Sequence, residues 1–547
     1  MKKILSPILK YQWLILLNLY LILPIFFSLG ITRGFDSIHD PVIWWNLACS
    51  VAFLLGLQLL IRKPFSFHLF MLPFYLTVSI DIFTIFVFDS RLSSGYIWII
   101  LANMSNWNDF FQTFYREIIT GTLLFLIIYT FLLWKIRSLS FSHHRMWSFI
   151  PLTMFFALYG GLTIHQAKVH KTTLSSAFVN VVEHDFSSPF GVISQMSVTY
   201  LVLQKSKNNL QKRKDFVFNA KKEPLAKPEI YVMVIGETSR RDHWAINGYH
   251  RNTSPQLNKV EKLISFKDVI TEWSLTQKSV PIMLSLATIS DFDRATTEKS
   301  IITAYKEAKF KTYWLTTQPF DHFAGNIHVI ANDADVVRYF VRKYDAVLLD
   351  ALDNVFNDFK EKNEKIFIIL HTKGSHFEFS KRYPPEFKKY PDSSEFSWKE
   401  KLVNRYDNTI LYTDFFLSRV ISALKAQNTI SAMLYVSDHG ENLMDDERKL
   451  QGHNFGNQYD LPIPMFFWYS DEYEKIYPKK VINVKKNIEK KLGTINVFHS
   501  LADMANIQID EMLDKNLSFF HAPMQEVPRI VYIQNRNKFI DYDLIEK

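Results

Sequence analysis

Ile230-Tyr-Val-Met-Val-Ile235 runs straight into Gly236-Glu237-Thr238-Ser239-Arg240. Two later stretches repeat the pattern. Lys365-Ile-Phe-Ile-Ile-Leu370 leads into His371-Thr372-Lys373-Gly374-Ser375-His376, and Ala432-Met-Leu-Tyr-Val436 into Ser437-Asp438-His439-Gly440-Glu441-Asn442. Each apolar run reads as a buried strand of a mostly parallel sheet with helices on both faces. In such sheets the chemistry collects at the carboxyl ends of the strands. Three strands that break at once into carboxylate or imidazole beside Gly point to a metal site of Glu237, Asp438, His439 and His376. Oxygen and nitrogen donors without thiolate suit a catalytic, open zinc site. His453, in Gln451-Gly-His453-Asn454, follows His439 by 14 residues and is close enough to fold back onto it.

Such a site needs a hydroxyl to activate, because the single cysteine, Cys49, lies in an apolar run far upstream. Ser274-Leu-Thr276-Gln-Lys278-Ser279-Val-Pro281 precedes an apolar helical stretch from Ile282 to Thr288. Pro281 is expected in the first turn of that helix, with a Ser or Thr ahead of it as the cap. A hydroxyl there faces the positive end of a helix, which favours a phosphate or an alkoxide. Thr238 competes with Thr276, and spacing leaves the two undecided.

Outward from these motifs the chain divides in two. It has 547 residues, 48% of them hydrophobic and 15% aromatic, with 21% charged and a net charge of +9. That excludes a disordered chain or a coiled coil, and the charge averages two unlike halves, so no nucleic-acid partner is expected. One cysteine permits no intrachain disulfide and no thiolate zinc site. Five apolar stretches near 11–30, 42–61, 66–88, 118–136 and 147–165 approach the roughly 20 residues of a membrane span. Lys2, Lys3, Lys10, Arg62, Lys63, Lys135, Arg137 and Arg145 fall on one side of them. Arg33, Arg91 and Arg116 fall on the other, among Asp36, Asp40, Asp89, Asp109 and Glu117. The positive-inside rule puts the richer side in the cytoplasm and everything after residue 165 outside. Residues 166–227 read as a connector with a strongly basic second half, a solvated charge run with anionic lipid as its alternative contact.

Gly236-Glu-Thr-Ser-Arg-Arg-Asp-His243 and Asn247-Gly-Tyr-His-Arg-Asn-Thr-Ser-Pro255-Gln-Leu257 resemble the signature of bacterial phosphoethanolamine transferases. These are inner-membrane enzymes of the alkaline-phosphatase/sulfatase superfamily. Gly374-Ser-His376 with Arg382-Tyr-Pro384, Tyr406-Asp-Asn408 and Ser437-Asp-His-Gly-Glu441 recur in that family in the same order. The resemblance implies a five-helix transmembrane domain over 1–165, a connector with interfacial helices over 166–227, and a periplasmic α/β/α sulfatase-like domain over 228–547. It also implies Thr276 as the nucleophile, since Thr276-Gln-Lys-Ser279-Val280-Pro281 matches the family's Thr-x-x-Ser-Val-Pro context. Glu237, Thr276, Asp438 and His439 then hold one zinc tightly, a second being left open, and His376 and His453 join Thr276 as catalytic residues at the phosphate.

Carried over from the family, the expected reaction moves phosphoethanolamine from phosphatidylethanolamine to lipopolysaccharide, at lipid A or an inner-core sugar, through a phosphothreonine. Membrane lipids surround the enzyme, which is expected to be a monomer. Asn103, Asp109, Gln318 and Lys278 are the expected substrate contacts. The alternative is a metal-dependent phosphodiesterase or other hydrolase on the same fold, with water as acceptor.

Overall fold

The computed structural model describes residues 2–27, 41–88, 107–141, 145–169, 211–318, 326–340, 343–362, 364–509, 512–533 and 538–545, with scattered positions from 174 to 200. They form two compact units, one before and one after the boundary at Ser206 and Lys207.

The first unit is helical: α1 (Lys2–Phe27), α2 (Pro41–Leu60), α3 (Pro64–Phe70), α4 (Leu72–Phe88), α5 (Trp107–Ile136) and α6 (Phe149–Val169). Its interior packs Leu17, Leu21, Phe67, Met71, Tyr75 and Ile136. Its outside is also apolar, with Ile127 66% and Phe156 68% exposed. Side chains of that kind at that exposure call for lipid as the solvent. Two helices are long and apolar enough to cross a membrane, Ile118–Ile136 and Met146–His165, or three if the bent pair α3–α4 is one span. Tyr11–Phe27 and Trp44–Leu60 are apolar but shorter. The stretch expected as one span over 66–88 is thus broken at Met71 by a 59° bend. Pro73 supplies the reason, having no N–H for the carbonyl four residues earlier. Asp81 is packed inward. Asn103 lies outside the described residues, and Asp109 falls on the first turns of α5, where only the backbone is described.

The second unit is built on a seven-stranded sheet. Its strands are β1 (Glu229–Gly236), β2 (Leu263–Ser265), β3 (Lys311–Thr316), β4 (Val336–Tyr339), β5 (Ile366–His371), β6 (Ile430–Ser437) and β7 (Met465–Tyr469), in the order β2-β7-β6-β1-β5-β3-β4. β1 lies parallel between β5 and β6, and only β7 runs antiparallel to its neighbours. The alternation of β1 sorts its side chains to two cores. Tyr231, Met233 and Ile235 meet one layer, which includes α7 (Thr276–Leu284); Ile230, Val232 and Val234 meet the other, with α8 (Val347–Lys362) and α9 (Trp398–Lys425). The three motif strands are β1, β5 and β6, side by side at the centre.

Two sequence expectations change here. The basic stretch before 228 is not simply solvated. Lys222 makes a buried ion pair with Glu229 at 3.0 Å, and Arg213 meets Asp333 at 2.6 Å. Phe218 and Ala220 join the core, and Lys221 bridges to Gln508. Residues from 211 on therefore pack as part of the second unit, because apolar residues interleave with the charges. The helix expected to open at Pro281 instead opens at Thr276, with Leu275 as its cap and Pro281 inside it. The Leu275 carbonyl receives the N–H of both Lys278 and Ser279, which closes the first turn before the proline is reached.

Candidate active site

Strand register places the site. Gly236 pairs with Ser437 and Ile235 with His371, so Glu237 and Asp438 leave the sheet side by side. Glu237, Asp438 and His439 form a cluster whose ligand atoms all lie within 4.8 Å of one another, and all three are buried. His439 Nδ1 hydrogen-bonds the Gly440 carbonyl at 2.8 Å, which fixes it as the donor and leaves Nε2 as a lone pair facing the carboxylates. Nε2 stands 3.5 Å from Glu237 Oε1 and 3.4 Å from Asp438 Oδ2.

The head of α7 enters the same space. Thr276 Oγ1 is 3.1 Å from His439 Nε2 and 3.4 and 3.5 Å from the two Glu237 oxygens. Short hydroxyl bonds hold the helix there. Thr271 Oγ1 donates to Ser279 Oγ at 2.9 Å, and Ser279 Oγ donates to the Asp438 carbonyl at 2.7 Å. Ser274 Oγ donates to Asp460, whose carboxylate also gathers the N–H groups of Phe455, Gly456 and Asn457.

The two carboxylates are unequally satisfied. Asp438 Oδ1 accepts the N–H of Thr238 and of His439, while its buried Oδ2 has no hydrogen-bond partner. Glu237 Oε1 accepts the Thr238 hydroxyl at 2.7 Å and Oε2 the Gln318 amide at 2.8 Å. Burial, and for Glu237 also the charge of Asp438, pushes both carboxyls above their usual range. Burial, then the charge of His453, holds His439 well below its own. A buried anion with a vacant lone pair, a second carboxylate and an unprotonated imidazole nitrogen are the donor set of a divalent cation, and the residues fit zinc. Thr276 Oγ1 is the hydroxyl that approaches both Glu237 and His439.

The other expected residues divide. His453 packs against His439 with ring centroids 4.0 Å apart and planes tilted by 35°, and its Nδ1 is 3.3 Å from Glu441 Oε2. Burial alone would lower its pKa, but the hydrogen bond and charge of Glu441, with Glu237 and Asp438 beyond, raise it to about 9. His376 is not in the three-residue cluster. Its turn is fastened to the site through Ser375 N–H to the Glu237 carbonyl at 2.9 Å, with Gly374 at φ +45°. A Cβ on Gly374 would stand 2.8 Å from that same carbonyl, so only glycine allows the approach. Gln318, expected among the substrate contacts, lies against Glu237. Its Nε2 donates to Glu237 and to the Thr372 carbonyl at 2.9 Å, so both N–H are used and only an acceptor remains. Lys278 lies over the Phe292 ring at 3.9 Å and the Trp273 ring at 5.2 Å.

Two residues outside the expected site set gain importance. Tyr406 is fully buried; its hydroxyl donates to the Thr238 carbonyl at 2.7 Å and accepts the Arg240 N–H at 2.8 Å. It thereby clamps the turn in which Thr238 sits at φ +58°. Its place in Tyr406-Asp-Asn408 was visible, but a helix interior gives no sign of what a tyrosine hydroxyl reaches. His371 ends β5 in a fully buried position, where burial lowers it to about 4.

The comparisons with known proteins bear on the family and the fold. The family model described as Sulfatase matches residues 229–507, just over half of the chain. Phosphoethanolamine transferase EptC of Escherichia coli K12 is 27% identical over 351 residues, which are 60% of this chain and 59% of that protein. The chain thus spans about three-fifths of the length of the curated relatives it matches first. The zinc complex of the C-terminal periplasmic domain of Escherichia coli EptC superposes with a TM-score of 0.55 at 27% identity, over 60% of this chain and 96% of that one. The integral membrane protein lipooligosaccharide phosphoethanolamine transferase A of Neisseria meningitidis has a TM-score of 0.51 at 19% identity. It covers 93% of this chain and 98% of that one, and shares the fold.

Two substitutions follow from the clamp and the amide. Tyr406→Phe leaves a buried carbonyl and a buried N–H without partners, at about 1–3 kcal/mol each, and is expected to lower the melting temperature with and without zinc. Gln318→Ala is expected to weaken zinc binding about 10–100-fold, read by competition with a chromogenic chelator, while the fold persists.

Proposed function

The chain belongs to the sulfatase family, and from that premise we propose that it transfers phosphoethanolamine from phosphatidylethanolamine to lipopolysaccharide. The observation that carries the reading is the Thr276 hydroxyl, 3.1 Å from His439 Nε2 and beside Glu237, in a cluster whose Asp438 Oδ2 has no hydrogen-bond partner. The name of EptC, phosphoethanolamine transferase, supports the group transferred, and the zinc complex of its periplasmic domain supports the metal.

In this reading residues 1–165 are a membrane domain of five spans and the domain from 228 on, with 211–227 packed onto it, works in the periplasm. The protein sits in the bacterial inner membrane, where the donor is a neighbouring lipid. Glu237, Thr276, Asp438 and His439 would hold zinc. When bound, zinc lowers the pKa of a ligated hydroxyl and offsets the two carboxylates.

Thr276 Oγ1 attacks the phosphorus of phosphatidylethanolamine; the bond from phosphorus to the glycerol oxygen breaks, and diacylglycerol leaves with a proton. The N–H groups of Thr276 and Gln277, ahead of the two that bond the Leu275 carbonyl, would lie at the positive end of α7 beside the new phosphate ester. His453, which Glu441 keeps protonated, adds positive charge at that phosphate. In the second half an acceptor oxygen attacks the same phosphorus, the Thr276 ester breaks, and His376 or His453 moves the proton.

Intact mass of the purified protein after incubation with donor and zinc tests this. A gain of roughly 120 Da, one phosphoethanolamine, is expected and Thr276→Ala abolishes it. Donor consumption without the adduct would point to water as acceptor and to a hydrolase. An adduct that survives Thr276→Ala and vanishes in Thr238→Ala would move the nucleophile.

Chelation is the second test. Zinc at about 100 times its Kd stabilises the folded state by about 2.7 kcal/mol, so dialysis against chelator is expected to lower the melting temperature of the wild type. Asp438→Asn is expected to melt at one temperature whether chelator is present or not.

A further inference from the structure

Beside the nucleophile lies a cluster of rings that the transfer to Thr276 does not use. Trp273, three residues ahead of Thr276, packs on Tyr532 with centroids 4.4 Å apart and meets the edge of Phe539 at 6.3 Å and Phe292 at 6.4 Å. Tyr532 and Phe539 touch at 5.4 Å, across the hairpin of Ile530–Ile533 and Lys538–Asp541. The hairpin is fastened to this spot by the Tyr532 N–H, which donates to the Glu272 carbonyl at 3.0 Å. Phe539 is 56% exposed, and Trp273, Phe292 and Tyr532 are each partly open to solvent.

The Lys278 ammonium completes the cluster, 3.9 Å from the centre of Phe292 and 5.2 Å from that of Trp273. Among the described residues it makes no ion pair and no hydrogen bond, although it is half-buried; only Asp293 acts on it from a distance. Ring faces orient such a cation but do not neutralise it.

We infer that Trp273, Phe292, Tyr532, Phe539 and Lys278 form the subsite that receives an anionic sugar of the acceptor. The inference rests on the transferase reading above. Open aromatic faces offer stacking surface to the C–H faces of a sugar ring, with little side-chain entropy to lose. The unneutralised ammonium calls for a phosphate or carboxylate on that sugar. It also argues against the donor, whose own head group ends in an ammonium that Lys278 repels. Trp273 stands three residues ahead of Thr276 and gathers the other rings around itself, where an acceptor has to approach the phosphothreonine.

The test separates the two half-reactions of the full-length zinc enzyme. The probes are phosphatidylethanolamine as donor and rough-type lipopolysaccharide, native or enzymatically dephosphorylated, as acceptor. Trp273→Ala and Phe539→Ala are expected to raise the acceptor KM about ten-fold while phosphoethanolamine loads Thr276 at the wild-type rate. Lys278→Gln is expected to raise the KM for native acceptor. Loss of that effect on dephosphorylated acceptor would identify phosphate as the anion, and its persistence a sugar carboxylate. Phe539 is mostly exposed, so its variant keeps the test free of misfolding.

An unchanged acceptor KM in Phe539→Ala and Lys278→Gln overturns the inference. So does a loading rate that falls in step with the rise in KM, which would give the rings to the donor. Weaker binding of these variants to phosphatidylglycerol vesicles with acceptor KM unchanged would make the patch a membrane contact, again overturning it. No adduct on Thr276 in the wild type would instead be a failure of the transferase reading itself.

Discussion

Two carboxylates delivered to the same buried point by strand register are the constraint on which the rest depends. Gly236 opposite Ser437 fixes Glu237 beside Asp438, and neither reaches water. Buried like charges at that separation do not both stay ionised without a cation between or beside them. The surroundings relieve only part of the cost. Two N–H groups, one hydroxyl and one amide serve three of the four carboxylate oxygens, and Asp438 Oδ2 is left over. A network built for neutral packing would satisfy that last oxygen; here it faces His439 Nε2, itself unprotonated. The geometry is that of a site that waits for a positive charge.

Such a site is only as good as the elements that hold it still. The three loops come from the ends of adjacent parallel strands, which is rigid backbone, but α7 comes from a different part of the chain. Its place is set by the run of hydroxyls from Thr271 through Ser279 to the Asp438 carbonyl. That run ties the nucleophile's helix to the backbone of a metal-binding residue, so helix and ligand move together. On the opposite face Tyr406 reaches up from α9 to lock the turn after Glu237. Serine and tyrosine hydroxyls, rather than ion pairs, position the centre, and their bonds do not weaken with salt as surface pairs do.

The strands and the cluster of Glu237, Asp438 and His439 were legible because a parallel strand buried on both faces is a continuous apolar run and its end is abrupt. The start of α7 was misread because proline at N1 is a strong local signal. Here it is overruled by the Leu275 carbonyl, which closes the turn five residues earlier. For Gln318 the sequence offered only the family resemblance; which of its atoms is free depends on Glu237 and Thr372, partners 81 and 54 residues away. Lys222 and Arg213 looked like solvated charge since their carboxylates, Glu229 and Asp333, are supplied by the fold. The break at Met71, by contrast, follows from Pro73, a residue any sequence reading contains; an apolar window simply averages it away.

The choice between Thr238 and Thr276 shows what geometry adds to chemistry. Both hydroxyls lie against Glu237, and both follow from motifs. Thr238 holds a left-handed backbone conformation, which costs a non-glycine residue about 1–2 kcal/mol and is kept by the Tyr406 clamp. Its proton is already committed to Glu237 at 2.7 Å, and its N–H to Asp438. A hydroxyl spent in that way stabilises the carboxylate and has no proton to give up without unmaking the site. Thr276 Oγ1 lies 3.1 Å from His439 Nε2 and 3.4 and 3.5 Å from the Glu237 oxygens, and it stands at the positive end of α7. An oxygen so loosely held can lose its proton, become a ligand and attack, while the threonine beside it keeps the carboxylate in place.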